Sequence, residues 1–250
     1  MEYSRRYGMD GIHNLRDLGG YAARDGVTRF GVFFRSDLPW YLTEGDRERI
    51  LALGIGVDLD LRDVEESIPM RDELQDIPQV EYIQIPMKNV RKAAVRDRPG
   101  GRSAFDPEFF WGEEYIRMLE DNHSWAKFCI ELLAGIEKPL LFHCFTGKDR
   151  TGILAALMLG VCGVSDKDIA ADYSLSQIYL TDVYSWMREN IDDFRQAGEK
   201  SPFFSTDAAN ILALMEHLRR EYGGTTEFLR QCGAGNDTLE ALHRRLVKRA

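Results

Sequence analysis

The chain has 250 residues, 44% hydrophobic and 29% charged, with a formal net charge of −9. That composition fills a large core in one domain or two small ones, and its acidity argues against nucleic acid or an anionic membrane as a partner. Four cysteines (Cys129, Cys144, Cys162 and Cys232) lie far apart without a Cys-x-x-Cys pair, so no zinc site or disulfide framework is expected and reduced thiols in the cytoplasm are the default.

In chain order, the opening MEYSRRYGMDG carries no apolar run of the secretory-signal kind, although export by a specialised secretion system stays open. NLRDLGGYAARDGVTRFGVFFRSD, broken by Gly-Gly and Asp-Gly, predicts short strands and turns. Thr43, three residues before Asp46, predicts a capped helix over TEGDRERILALG. GVDLDLR predicts a strand with Asp58 and Asp60 on one face, and VEYIQIPM another. The basic, Gly-containing stretch from Asn89 to Ser103 reads as a loop, placed to meet an anionic substrate or simply solvated. PEFFWGEEYIRMLEDN and SWAKFCIELLAGI predict two helices. PLLFH predicts a buried strand, and RTGILAALMLGVCG a helix stopped at Gly163. Its apolar stretch, Ile153–Val164, is too short to span a bilayer. Ser165 predicts the cap of the next helix, and the remainder reads as helices to the end, with Asp237 and Glu240 forming a second capping box. Strands first, helices last and a strand–loop–helix unit between them predict one α/β domain over residues 1–250.

The junction between PLLFH and RTGIL is HCFTGKDRTG, in which Cys144 and Arg150 are separated by five residues. A buried strand, a tight loop and a helix N-terminus bring backbone N–H groups and the helix dipole to one point, a nest for an oxyanion of phosphate size. Gly147 permits the turn. Arg150 offers a planar fork for two phosphate oxygens. Cys144 lies beneath the anion, where the same field favours its thiolate as a nucleophile on phosphorus. Phe145, Thr146, Gly147, Lys148 and Thr151 complete the substrate-binding loop; Thr151 is placed to donate a hydrogen bond to Cys144, and His143 to brace the loop backbone. Gly147-Lys148 also suggests a nucleotide P-loop, but that motif needs glycine at 142 and Ser or Thr at 149, where this chain has Phe142 and Asp149. No metal or cofactor is expected. His13 and His123 lack partners at metal-ligand spacing.

HCFTGKDRTG resembles the signature loop of Cys-dependent protein tyrosine phosphatases. With NLRDLGGY, FRSD at Phe34–Asp37 and DLR at Asp60–Arg62, the chain resembles the bacterial and fungal tyrosine-phosphatase-like family of the mycobacterial PtpB type. The resemblance implies a central, mainly parallel sheet flanked by helices, with a helical C-terminal part. It maps the nucleophile to Cys144 and the phosphate-binding arginine to Arg150. The family's Lys and Asp inside the loop accompany activity on phosphoinositides as well as phosphoproteins, so Lys148 is expected at the loop rim as an extra cation. The Trp-Pro-Asp acid loop of larger tyrosine phosphatases is missing, which leaves Asp149 as first candidate for the general acid and Asp60 as second. Arg16 and Asp17, in the NLRDLGG block, are candidates to support the floor of the site. The segment of about 174–204 is a candidate lid. The expected reaction is hydrolysis of a phosphotyrosyl or dual-specificity protein substrate through a phosphocysteine, with phosphoinositides as alternative main substrates. Rhodanese-type sulfur transfer and non-catalytic phosphate binding are the more distant alternatives.

Overall fold

The computed structural model describes residues 4–88, 104–195 and 201–249. The basic segment 91–102 lies outside the described residues, as does part of the candidate lid. The strands are β1 (Arg16–Asp17), β2 (Ala22–Ala23), β3 (Gly26–Thr28), β4 (Phe33–Ser36), β5 (Val57–Asp60), β6 (Glu81–Gln84), β7 (Leu140–His143) and β8 (Val247–Arg249). The first helices are α1 (Glu44–Ala52), α2 (Val64–Ser67), α3 (Trp111–Glu120) and α4 (His123–Gly135). After the Cys144 loop come α5 (Asp149–Val161), α6 (Asp166–Ser174), α7 (Ser176–Tyr179), α8 (Thr181–Asn190) and α9 (Asp192–Arg195). The chain then forms α10 (Ala208–His217), α11 (Thr225–Gln231) and α12 (Asn236–Leu246).

The central sheet has the order β1-β4-β7-β5-β6. β4, β7, β5 and β6 run parallel, and β1 closes the β4 edge antiparallel. All four residues of β7 are buried, as a strand covered on both faces must be. Leu140 and Phe142 point into one core layer with Phe33, Val57 and Leu59; Leu141 points into the other with Phe34, Ile50 and Ile77. This alternation puts His143 on the same face as Asp58 and Asp60, since Asp60 pairs with His143 in register. α5 follows β7 and is buried along 11 of its 13 residues. Its all-round apolar sequence is that of a central core helix. No helix of the described residues is long and apolar enough to cross a membrane.

Thr43 and Asp46 form the expected reciprocal cap of α1, and Ser165 caps α6. Gly163 ends its helix at φ +74°. The sequence reading fails at the C-terminus in two places. α12 starts one residue before Asp237 with no side-chain cap, so the second capping box does not form. The residues read as its last turn instead turn extended at Val247 (φ −103°, ψ 129°) and pair antiparallel with β3, Val247 opposite Thr28. Val247 is β-branched and 2% exposed, so sheet pairing and burial override the helical pattern.

Candidate active site

β7 ends at His143 and α5 begins at Asp149, which leaves residues 144–148 as the connecting loop. Gly147 sits at φ +67°, and a Cβ there would fall 2.0 Å from the Ser36 carbonyl oxygen. Only glycine meets both conditions. Four successive loop carbonyls are held from outside the loop. His143 Nδ1 bonds the Cys144 oxygen at 3.0 Å, and Leu38 N–H donates to the Phe145 oxygen at 3.0 Å. Asn14 Nδ2 donates to the Thr146 oxygen at 3.0 Å, and Arg35 Nη2 to the Gly147 oxygen at 2.7 Å. A trans peptide sets its N–H opposite its C=O, so carbonyls held outward direct the loop N–H groups inward, as in loops that bind oxyanions.

The donors behind the loop form one buried network. Arg16 donates through Nε to Asp172 Oδ1 at 2.9 Å, through Nη1 to Asn14 Oδ1 at 2.6 Å, and through Nη2 to Ser176 Oγ at 3.0 Å. Arg35 reaches the other Asp172 oxygen at 2.5 Å. Arg16 thus lies behind the loop, bonded to Asn14, Asp172 and Ser176. Asp17 does not join that network: its carboxylate accepts from Gly19 N–H two residues on and from Gly31 N–H before β4, and burial pushes its pKa up to about 6. Burial acts against ionised Asp172 too, but Arg16 and Arg35 outweigh it and hold that carboxyl at about 2. An acid whose pKa is lowered on folding contributes stability above its unfolded value near 4, and this is lost as pH falls toward 2. Asp172→Asn is expected to cost about 3–5 kcal/mol at pH 7, because two buried guanidiniums lose their anion. In urea unfolding the gap to wild type should narrow below pH 4; a gap constant to pH 2 would contradict the assignment.

On the opposite side of the loop, His143 is fully buried among Asp58, Asp60 and Asp72. Nε2 lies 2.6 Å from Asp72 and 3.3 Å from Asp58. Burial opposes the charged ring, yet Asp60, Asp58 and Asp72 together raise its pKa well above the ordinary value. The Asp58 carboxyl is pushed up by burial and by Asp72. Asp58, Asp72 and His143 are the donor set among the described residues with metal-like spacing. Nδ1 bonds the Cys144 carbonyl and so carries a proton, while Nε2 faces the Asp72 and Asp58 carboxylates without a well-directed hydrogen bond among the described residues. The cluster is a buried ion pair that braces the loop. Asp60 belongs to this floor: Arg62 holds it at 2.7 Å and Tyr82 O–H donates to it at 2.9 Å. It is fully buried and committed, which removes it as a general-acid candidate.

Arg150 is 6% exposed, and both its terminal nitrogens donate to Glu66, one of them at 2.9 Å. A guanidinium has five donors, so three remain for an anion. Burial acts against this cation, but Cys144 and Glu66 more than offset it and raise its pKa. Asp149 accepts from Tyr115 O–H at 2.5 Å, and Tyr115 in turn bonds Tyr173 at 2.6 Å. Lys148 departs from its expected place at the rim. It is 1% exposed and donates to the Phe203 carbonyl at 2.6 Å and the Ser205 carbonyl at 3.3 Å, with Asp149 at 3.5 Å. Its ammonium lies over the Trp111 ring at 4.6 Å. Thr151 Oγ1 is buried without a hydrogen-bond partner among the described residues, so the bond expected to Cys144 is not made. Phe145 opens onto a cavity of about 260 Å³, lined mainly by Leu38, Trp40, Met70, Trp186 and Met187 and also by His13, Asp37 and Asp182.

Comparison with known proteins accords with this geometry. The model of a family described as the tyrosine phosphatase family matches residues 7–248. The chain belongs to the tyrosine phosphatase family. A tyrosine-protein phosphatase of Nostoc commune is 28% identical over 214 residues, 82% of this chain and 70% of that protein. The triple specificity protein phosphatase PtpB of Mycobacterium tuberculosis is 27% identical over 117 residues, 42% of each chain. Among solved structures, the core catalytic domain of the PP-IP phosphatase SIW14 from S. cerevisiae matches 76% of this chain and 98% of its own, at 12% identity and a TM-score of 0.39.

In this tyrosine phosphatase the loop and Arg150 are held by residues to which motif reading assigns no role. Glu66 had a legible signal: Asp63-x-x-Glu66 is a capping box, and both of its bonds are present at the start of α2. Asn14 and Arg35 stand inside the quoted NLRDLGGY and FRSD blocks without a role assigned to them. Asp172 and Ser176 had no signal, because their partners are about 135–160 positions away in sequence.

Proposed function

We propose that this phosphatase hydrolyses phosphotyrosyl substrates through a phosphocysteine on Cys144. The observation that carries the proposal is the run of four successive loop carbonyls held from outside the loop, which leaves the opposed N–H groups to face inward. The Cys144 thiolate attacks phosphorus, and the bond from phosphorus to the ester oxygen breaks. Asp149 gives its proton to the leaving phenolate. Water then attacks the phosphocysteine, Asp149 takes the water proton, and the phosphorus–sulfur bond breaks to release phosphate. Arg150 and the loop amides hold the equatorial oxygens throughout. Glu66 is a positioning residue that fixes the guanidinium plane.

Two features favour an aryl phosphate over a phosphoinositide. Beside Phe145 the lining is mostly aromatic and apolar and holds two carboxylates, Asp37 and Asp182, against the single imidazole of His13, a poor match for a polyanion. Lys148 is already committed to Phe203, Ser205 and Asp149. Lys148→Ala is therefore expected to lower kcat/KM about tenfold on both an aryl phosphate and a phosphoinositide, by removing the anchor between the loop and residues 203–205. A loss confined to the phosphoinositide would return Lys148 to the substrate.

The segment of about 174–204 is read as the cover of the site. Ser176 ties one end to Arg16 and Asn14, and the Phe203 carbonyl ties the other to Lys148. The substrate reading is tested with phosphotyrosyl, phosphoseryl and phosphothreonyl peptides beside phosphoinositides. The phosphotyrosyl peptide is expected to lead in kcat/KM by about tenfold or more; a phosphoinositide in first place overturns it.

A further inference from the structure

Tyr184, in α8, is 3% exposed, and its hydroxyl has no hydrogen-bond partner among the described residues. Buried phenols normally find one, because an unpaired O–H forfeits the bond it made to water. Its ring is fixed in place, with the centroid 5.1 Å from that of Phe204 at an interplanar angle of 62°. Phe204 adjoins Phe203, whose carbonyl anchors Lys148 of the loop. Val183 and Met187, either side of Tyr184 on the same helix, line the cavity that Phe145 opens onto. Burial raises the Tyr184 pKa well above the ordinary phenol, and the charges of Asp149, Tyr173, Cys144 and Asp37 act in the same direction. Met187, one helical turn on from Tyr184, lines the cavity together with Phe145, so the unpaired hydroxyl belongs to the face of α8 turned toward the 144–150 loop. It is left there a donor without a partner among the described residues.

We propose that Tyr184 is a substrate-binding residue whose O–H donates a hydrogen bond to a non-bridging oxygen of the phosphoryl group held by residues 144–150. The ligand it takes is a tetrahedral or trigonal oxyanion, whether substrate phosphoryl, inorganic phosphate or vanadate. The bond joins α8 to the bound anion, so the cover is completed by what it covers. The inference rests on the Cys144–Arg150 loop being the phosphoryl site.

The test is Tyr184→Phe, which keeps the ring against Phe204 and removes only the oxygen. Orthovanadate is the probe, with inorganic phosphate beside it. Vanadate inhibition of the variant is expected to weaken about tenfold or more, as for a hydrogen bond to a charged acceptor. Without ligand, the melting temperature of the variant is expected to equal or exceed that of wild type, since an unpaired buried hydroxyl has been removed. In wild type, vanadate is expected to slow amide exchange across Thr181–Asn190. Inhibition within twofold of wild type overturns the proposal. So does a lower melting temperature with undiminished inhibition, which makes the hydroxyl structural. If the variant folds too poorly to assay, unchanged exchange of wild-type Thr181–Asn190 with vanadate overturns the proposal by itself. A wild-type enzyme insensitive to vanadate would instead bring down the phosphoryl-site reading, and this inference with it.

Discussion

Replacing Cys144 with serine is expected to abolish turnover, lowering kcat by at least about a thousandfold, while anion binding survives. The two side chains are close in size, and Cys144 is 1% exposed in a packed site, so the substitution leaves no cavity of consequence. What changes is the nucleophile: a serine hydroxyl near neutral pH is not ionised and attacks phosphorus far more weakly than a thiolate. The groups that hold the anion are elsewhere. The loop amides are oriented by His143, Leu38, Asn14 and Arg35, and Arg150 is oriented by Glu66. Vanadate or phosphate should therefore still raise the melting temperature of Cys144→Ser. Hydrolysis of an aryl phosphate within tenfold of wild type, by a correctly folded variant, would end the covalent mechanism.

Arg150→Lys is expected to lower kcat/KM by about a hundredfold to a thousandfold and to weaken vanadate binding as well. The conservative appearance of the change is misleading. Arg150 spends two donors on Glu66 and keeps three for the phosphoryl oxygens. A lysine ammonium is a single point with three donors, and Glu66 beside it would pull it out of the anion's reach. Glu66→Gln should cost less, since one oxygen remains to accept from the guanidinium. Steady-state kinetics on the two variants, with folding checked by thermal melting, separate the roles. An Arg150→Lys enzyme within tenfold of wild type would show that charge alone suffices and that the planar fork is not needed.

The two variants bear on opposite halves of one loop, and the loop is where sequence and structure meet most closely. PLLFH reads as a buried strand because five apolar or strand-compatible residues precede a glycine-bearing turn, and β7 is buried along its length. Gly147 is required by a positive φ and by the Ser36 carbonyl behind it. The first of these is legible in the turn; the second is not, because Ser36 is 111 positions earlier on a neighbouring strand. The caps of α1 and α6 are likewise local, a side chain meeting a backbone N–H three residues on.

Lys148 marks the limit of such local reading. From its neighbours alone it is a lysine in a phosphate loop, and a rim cation is the natural expectation. Its burial depends on Phe203 and Ser205, which return to it across 55 residues and more. Asp60 meets Arg62 locally, two residues on, but its commitment to Tyr82 and the His143 cluster comes from the neighbouring strands. At the C-terminus, Val247 leaves the helical pattern because β3 offers it a strand partner.

By itself the sequence determined the chemistry at the centre: a thiol, an arginine and a glycine turn between a buried strand and a helix. These are short-range relations, set by hydrogen bonds and dihedral preferences within a few residues. Only the tertiary structure decided which side chains hold that loop in shape, which charges are already spent, and where an unpaired hydroxyl waits. Those depend on distant segments packed against one another, and a buried charge or hydroxyl is defined by whatever partner the fold brings to it.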